Sequence, residues 1–116
     1  MSYVQLAAPV RLQTQTPTEV VPAHATKKAM LTEILITSRS ENPVDVIFLD
    51  GTTERMRFSI YPGQIINKEF DSAARPIIPL DQITAATAIN AKLDDAGDVR
   101  ITAWYRYADS SADDAQ

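Results

Sequence analysis

The stretch ERMRFSIYPGQIINKEF, residues 54–70, predicts two β-strands and the turn that joins them. Apolar and polar side chains alternate along its first half, which places Met56, Phe58 and Ile60 on one face of a strand. Pro62-Gly63 suits the two central positions of a type II turn, because proline presets φ and glycine supplies a positive φ. Residues 64–70 then return as a second strand. The stretch therefore predicts a strand, a tight turn and a second strand.

Similar turn signals occur on both sides of this stretch. The two other glycines, Gly51 and Gly97, also lie where the apolar pattern breaks. Glycine adopts positive φ without steric cost and so marks turns. Together these signals predict an all-β fold, a single antiparallel β-sandwich or jelly roll of seven to eight strands with an extended N-terminal arm. The further predicted strands are 29–38, 44–49 and 98–107.

For two elements the sequence makes specific predictions about which residues share a face and about the type of secondary structure. In strand 29–38, alternation places Met30, Ile34 and Ile36 on one face and Leu31, Glu33 and Leu35 on the other. The segment Ile83–Leu93 fits either a strand or a helix, since it is rich in alanine and Asp81 could cap a helix. Even spacing of β-branched residues favours the strand. Before it, Ile77-Ile78-Pro79-Leu80 predicts a sheet edge or a bulge.

Composition narrows the class of protein. The chain has 116 residues, no cysteine and a net charge of −4. It is long enough for one domain with one core, and it lacks thiols for catalysis or zinc binding. No basic stripe predicts direct nucleic-acid binding, and no apolar run predicts a secretory signal or a membrane contact. We expect no cofactor.

The ends of the chain differ from its middle. Residues 1–22 contain three prolines, no glycine and few charges, which favours an extended N-terminal arm laid on a partner. A first core strand and a disordered leader are the alternatives. Residues 108–116 are small and acidic, with three aspartates, and predict a mobile tail. The expected organisation is an arm (1–22), a β-sandwich domain (23–107) and a flexible acidic tail (108–116).

Candidate catalytic and metal-binding residues are few. His24 is the only histidine, and no Gly-x-Ser-x-Gly elbow accompanies it, so we interpret it as a surface residue. Asp94, Asp95 and Asp98 lack the spacing of a calcium loop and fit a solvated turn. Glu33 is expected to face solvent or to pair with Arg55 or Arg57 across a sheet. The sequence predicts neither a catalytic site nor a metal site.

An aromatic cluster near the C-terminus is the strongest candidate for binding. Trp104 lies on the polar face of the last predicted strand, next to Tyr105 and Arg106. Aromatic residues beside arginine occur in intrachain packing, in protein interfaces and on carbohydrate platforms. The sequence alone does not decide among these three interpretations. The candidate interface consists of this cluster and the apolar residues of the arm: Val4, Leu6, Val10, Leu12, Trp104, Tyr105 and Arg106.

Four segments together resemble small virion proteins of tailed bacteriophages, over about Thr26 to Tyr107. These are TKKAMLTEILITSRSENPVDVIFLD (Thr26–Asp50), IYPGQII (60–66), LDQI (80–83) and VRITAWY (99–105). The resemblance implies a jelly-roll subunit without enzymatic activity that decorates the capsid, sits at the neck or belongs to a fibre.

The expected function follows from this resemblance. The leading hypothesis is a capsid decoration or cement protein on the virion surface that binds the major capsid protein as a homo-oligomer, most plausibly a trimer. The alternative is a neck, tail or fibre component in which Trp104 faces a host glycan. A free carbohydrate-binding module is a third hypothesis.

Overall fold

The computed structural model describes residues 5–69 and 77–108, which form two antiparallel sheets packed as a sandwich. The predicted all-β sandwich is confirmed. One 3-10 turn, Leu80–Gln82, interrupts the strands. The strands are β1 (Gln5–Leu6), β2 (Val10–Leu12), β3 (Thr18–Val21), β4 (Lys28–Ser38), β5 (Val44–Asp50), β6 (Thr53–Ile60), β7 (Ile65–Glu69), β8 (Ile89–Leu93) and β9 (Val99–Ala108).

The strands pair in a nested pattern. In the first sheet, β9 pairs with β1 and β2 on one side and with β4 on the other, and β4 pairs with β7. The second sheet has the order β3-β8-β5-β6. If β1 and β2 count as one interrupted strand, the first strand pairs with the last, the second with the second-last, and so on inward. This nesting is how an eight-stranded jelly roll is built.

The core lies between the two sheets and follows the alternation that the sequence predicts. Ile60 is buried, and Met56 and Phe58 pack against the core beside it. The Phe48 ring is fully buried and meets Phe58 edge-on, with 6.0 Å between ring centroids. The inward residues of β9 and β8 complete the core: Val99, Ile101, Ala103, Tyr105, Ile89, Ala91 and Leu93.

A β-bulge in β4 corrects the predicted face assignment of that strand. Leu31 pairs with Tyr105 whereas Glu33 pairs with Trp104, so Thr32 is an extra residue in β4. Such an insertion reverses the alternation beyond it. Leu31 therefore joins Ile34 in the sandwich core, and Met30 does not.

The N-terminal segment is not an arm, and this is the main correction to the sequence-based organisation. Residues 5–21 supply β1, β2 and β3, the edge strands of both sheets, so the sandwich begins well before Ala23. Leu12, Val20 and Val21 are buried in the core. The alternation is hidden in the sequence because the strands are short and Pro9 interrupts the pairing with β9. Residues 1–4 lie outside the described residues.

The crossing from β2 to β3 wraps around the turn between β8 and β9. Gly97 N–H donates to Gln13 O at 3.1 Å, and Leu93 N–H donates to Thr14 O at 3.2 Å. The Gln15 side-chain amide donates to Asp94 O at 2.7 Å. These bonds hold the N-terminal segment across the end of the sandwich, where it passes from one sheet to the other.

Glycine is required at position 97 because there is no room for a side chain. Its φ is not positive, unlike Gly51 (φ 62°) and Gly63 (φ 77°), which serve their turns as predicted. A Cβ at Gly97 would lie 2.7 Å from Ser40 Oγ and 3.2 Å from Leu93 Cδ1. The Ser40 hydroxyl is held there because it accepts from Asp98 N–H at 2.8 Å. The close approach of β4's end to the β8–β9 turn therefore excludes a side chain.

The segment before β8 differs from both sequence-based interpretations. Only Ile89–Leu93 is a strand, and residues 83–88 form no helix. Asp50, which is buried, holds this loop by accepting hydrogen bonds from Thr84 N–H and from the Thr84 hydroxyl, the latter at 2.8 Å. Ala86 adopts φ 60°. Ile77 and Ile78 are buried without forming the expected edge strand. Residues 70–76 lie outside the described residues.

Deleting residues 1–21 should abolish cooperative unfolding, because both sheets lose an edge strand and the core loses Leu12, Val20 and Val21. Thermal unfolding followed by circular dichroism measures this. Deletion of residues 109–116, which supply none of the described strands, is the control and should leave the transition intact. A truncated protein lacking 1–21 that melted like the full chain would contradict the integration of this segment.

Gly97→Ala should destabilise the fold by about 1–3 kcal/mol through overpacking against Ser40. Ser40→Ala should cost about 1 kcal/mol, since its hydroxyl accepts from Asp98 N–H. Because Ser40→Ala removes the clashing Oγ, the double variant should cost less than the two single variants together. Urea unfolding of the four proteins gives the coupling energy, and strict additivity would show that Ser40 is not the obstacle.

Candidate protein interface

The structure divides the predicted interface residues between core and surface. Leu12 and Tyr105 are buried, and Val10 packs against the core. Val4 lies outside the described residues. Leu6, Trp104 and Arg106 remain, on the first sheet and directed away from the core. The cluster predicted from sequence is therefore split by β9, whose alternate side chains face opposite sides.

Trp104 lies near the middle of this outer face. Its neighbours in register are Leu6 on β1 and Glu33 on β4. Leu6 is 59% exposed, while Trp104 and Glu33 are half-buried. The Thr32 hydroxyl donates to Trp104 O at 3.0 Å, which fixes the backbone of β9 at the bulge. A rigid indole flanked by an exposed leucine and a carboxylate is a surface suited to contact.

The remainder of the outer face was not identified from sequence. Leu35 lies in register between Thr102 and Asn67 and is half-buried. Ile65, on the edge strand β7, is 66% exposed. The sequence does indicate that Ile65 is exposed, because alternation after the Pro-Gly turn places it on the outward face of the strand. Leu35 was missed as a surface candidate because its place among these neighbours depends on strand pairing that no local pattern encodes.

Glu33 lies half-buried on the outer face of the first sheet, and of its two expected arrangements the ion pair with Arg55 or Arg57 is absent. The Asn67 side-chain amide donates to Glu33 Oε2 at 3.3 Å and to Ile34 O at 3.2 Å. The two arginines lie on β6 in the other sheet. Cross-strand pairing requires neighbouring strands, and β4 and β6 belong to different sheets.

The outer face of the second sheet carries a polar network centred on Arg57. Arg57 donates to Asp45 Oδ2 at 2.9 Å and to Glu54 Oε1 at 3.0 Å. The Ser59 hydroxyl donates to Asp45 Oδ1 at 2.6 Å. The Ser59 and Arg57 hydrogen bonds lower the pKa of Asp45, and Arg57 lowers the pKa of Glu54. Charged side chains already paired with one another gain little from a partner.

His24 has a structural role. Its Nδ1 accepts from Thr26 N–H at 3.0 Å and from Lys27 N–H at 3.1 Å, which caps the turn before β4. Its ring lies 5.0 Å from the Tyr107 ring. The Tyr107 hydroxyl donates to Pro22 O at 2.6 Å, and burial, with Tyr105 nearby, raises the pKa of Tyr107 to about 12. These contacts fasten the β3–β4 connection to β9.

The acidic residues near the β8–β9 turn are engaged within the chain. Asp94 Oδ1 accepts from Asp45 N–H at 2.8 Å, and Asp95 Oδ1 accepts from Ala96 N–H at 2.8 Å. Asp98 forms a two-bond ion pair with Arg11 at 2.9 and 3.0 Å. Within residues 5–69 and 77–108, no group of three His, Cys, Asp or Glu residues could hold a metal ion. That part of the chain also contains no helix able to cross a bilayer.

Comparison with protein-family models and with curated proteins finds no match for this chain. The assignment of a function therefore depends on the surface just described and on the sequence resemblance.

Trp104→Ala and Tyr105→Ala form a matched pair of adjacent substitutions on opposite faces of β9. Trp104→Ala should cost about 1 kcal/mol, because the indole is half-buried on the outer face. Tyr105→Ala should cost about 3 kcal/mol or more, because that ring is only 7% exposed and packs in the core. Denaturant unfolding measures both. Equal costs would contradict the assignment of Trp104 to a surface available for binding.

Proposed function

We propose that this protein is a non-enzymatic structural subunit that binds the exterior of a tailed-phage capsid and stabilises the head. The outer face of the first sheet is its contact surface with the major capsid protein. The resemblance of residues 26–107 to phage virion proteins supports the class of partner. The exposed apolar and aromatic side chains of the first sheet support its outer face as the contact surface.

The observation that carries the proposal is the contrast between the two outer faces. The first sheet presents Leu6, Trp104 and Ile65 with few internal partners. The second presents arginine and carboxylates already joined by hydrogen bonds. Protein interfaces are enriched in aromatic and apolar anchors and depleted in charge at their centres. The first sheet presents such anchors, with the Glu33 carboxylate beside Trp104, whereas the second presents charges that are already paired.

The size of the first sheet suits a repeated contact. Four strands about 4.8 Å apart and about eight residues long cover roughly 500 Å² of flat area. A stable interface needs about 800 Å² of accessible surface from each partner, and a corrugated sheet face with its flanking loops approaches that figure. A trimeric arrangement at threefold positions would repeat the contact and multiply its effect.

A neck, tail or fibre component that binds a host glycan is the second candidate. Trp104 beside the Glu33 carboxylate and near the Asn67 amide pairs an aromatic ring with hydrogen-bonding groups. Sugars are bound by this combination of a stacking face and polar groups. The same surface would then face a receptor on the host cell.

Trp104→Ala should weaken binding to capsids that lack the protein by about thirtyfold, as expected for a buried aromatic anchor worth about 2 kcal/mol. Arg55→Ala, an exposed substitution on the second sheet, is the matched control and should bind normally. Cosedimentation with capsids measures both affinities.

Particles without the protein should release DNA at a lower temperature than complete particles, yet adsorb to cells at the normal rate. Particles that were fully heat-resistant but failed to adsorb would contradict the decoration proposal and favour the receptor-binding alternative. Glycan binding that is lost in Trp104→Ala would favour the same alternative.

A further inference from the structure

Three arginines gather around one aspartate at the end of the first sheet's outer face. Arg11 and Arg100 lie directly opposite each other on β2 and β9. Arg39 follows β4, and its N–H donates to Asp98 O at 2.8 Å. We call Arg11, Arg39 and Arg100 the arginine patch. The N-terminal strand builds it, since Arg11 reaches this position only through the pairing of β2 with β9.

The arginine patch carries more positive charge than its own acid neutralises. Asp98 accepts both of its ion-pair hydrogen bonds from Arg11. Arg11 first, then Arg100 and Arg39, lower the pKa of Asp98. Arg39 and Arg100 are exposed, and no acid among the described residues accepts a hydrogen bond from either guanidinium. Two like charges beside Arg11 repel each other, and an acidic occupant would relieve that repulsion.

The chain itself contains an acidic segment whose charge is complementary to the arginine patch. Residues 109–116, DSSADDAQ, carry three aspartates and no basic residue, although the remainder of the chain is close to neutral. We propose that this acidic tail of one copy docks on the arginine patch of a second copy. This inference goes beyond the proposed function and holds whether or not the partner of the first sheet is a capsid.

Strand direction favours a neighbouring copy over the same chain. The tail leaves β9 at Ala108, whereas Arg100 lies eight residues earlier on that strand, about 27 Å away at ~3.4 Å per residue. Asp114 is six residues beyond Ala108, and six fully extended residues span at most about 21 Å. Even if it lay fully stretched back along β9, the backbone of the chain's own tail would stop about 6 Å short of Arg100. A neighbour's tail is free of this constraint.

A contact between the tail of one copy and the patch of the next is heterologous. Contacts of this type close into rings when the rotation permits, which suits a cyclic homo-oligomer such as a trimer. Each exposed ion pair contributes little alone. Repetition around a ring makes the association effective, and its electrostatic origin makes it sensitive to salt.

Charge exchange between patch and tail tests the proposal in the full-length chain. One variant carries Arg39→Glu and Arg100→Glu, and the other carries Asp109→Lys, Asp113→Lys and Asp114→Lys. Sedimentation velocity at low ionic strength, where the screening length is about 30 Å at 0.01 M, should show association of the wild type. In each variant alone, the dissociation constant should rise about tenfold or more. An equimolar mixture should restore association, because two of the three contacts in a mixed trimer, and every contact in an alternating even-membered ring, are then complementary.

Arg55→Glu, on the second sheet, is the matched control and should associate like the wild type. A monomeric wild type, variants that associate normally, or a mixture that stays monomeric would each overturn the proposal. Binding of a duplex oligonucleotide that depends on Arg39 and Arg100, with self-association unchanged in their variant, would also overturn it and assign the patch to nucleic acid.

Discussion

The first and last strands of the chain must pair for this sandwich to close. β1 and β2 form one edge of the first sheet against β9, and β3 forms one edge of the second against β8. Between these edges the chain crosses the β8–β9 turn, where Gly97 donates its N–H to Gln13 O. Because both sheets depend on this crossing, a side chain at Gly97 or the loss of residues 5–21 disturbs the whole fold rather than one edge.

This closure also decides which surfaces remain for a partner. Leu12 and Val20 are apolar residues that an extended arm could offer to a neighbour, but the sandwich buries them in its own core. The second sheet neutralises its outer charges through Arg57. The outer face of the first sheet therefore retains apolar and aromatic groups at its centre and an arginine patch at its end. We propose this face for binding because two exposed apolar side chains, Leu6 and Ile65, lie on it together with Trp104.

The sequence predicted those features that depend on local pattern. Strand β6, with Phe58 inward, and the turn after it, with Gly63 at positive φ, follow from alternation and turn chemistry alone. The passage of the chain at this turn from β6 in the second sheet to β7 in the first does not, because no local pattern encodes it. The bulge at Thr32 could not be predicted, because it is defined by the register of β4 against β9. The N-terminal strands were missed for the same reason, since their partners lie about ninety residues away. For the binding surface, Trp104 could be identified from its residue type. Its neighbours on that surface could not, because only strand pairing brings them next to it.

The central claim is that the protein binds its partner through the outer face of the first sheet. Hydroxyl-radical labelling of the capsid-bound protein, read by mass spectrometry against the free protein, tests this claim most directly. Oxidation of Leu6, Trp104 and Ile65 should fall severalfold on binding, while that of Arg55 and Arg57 on the second sheet should stay unchanged. Protection of the two arginines, with the three first-sheet residues as reactive as in the free protein, would contradict the account.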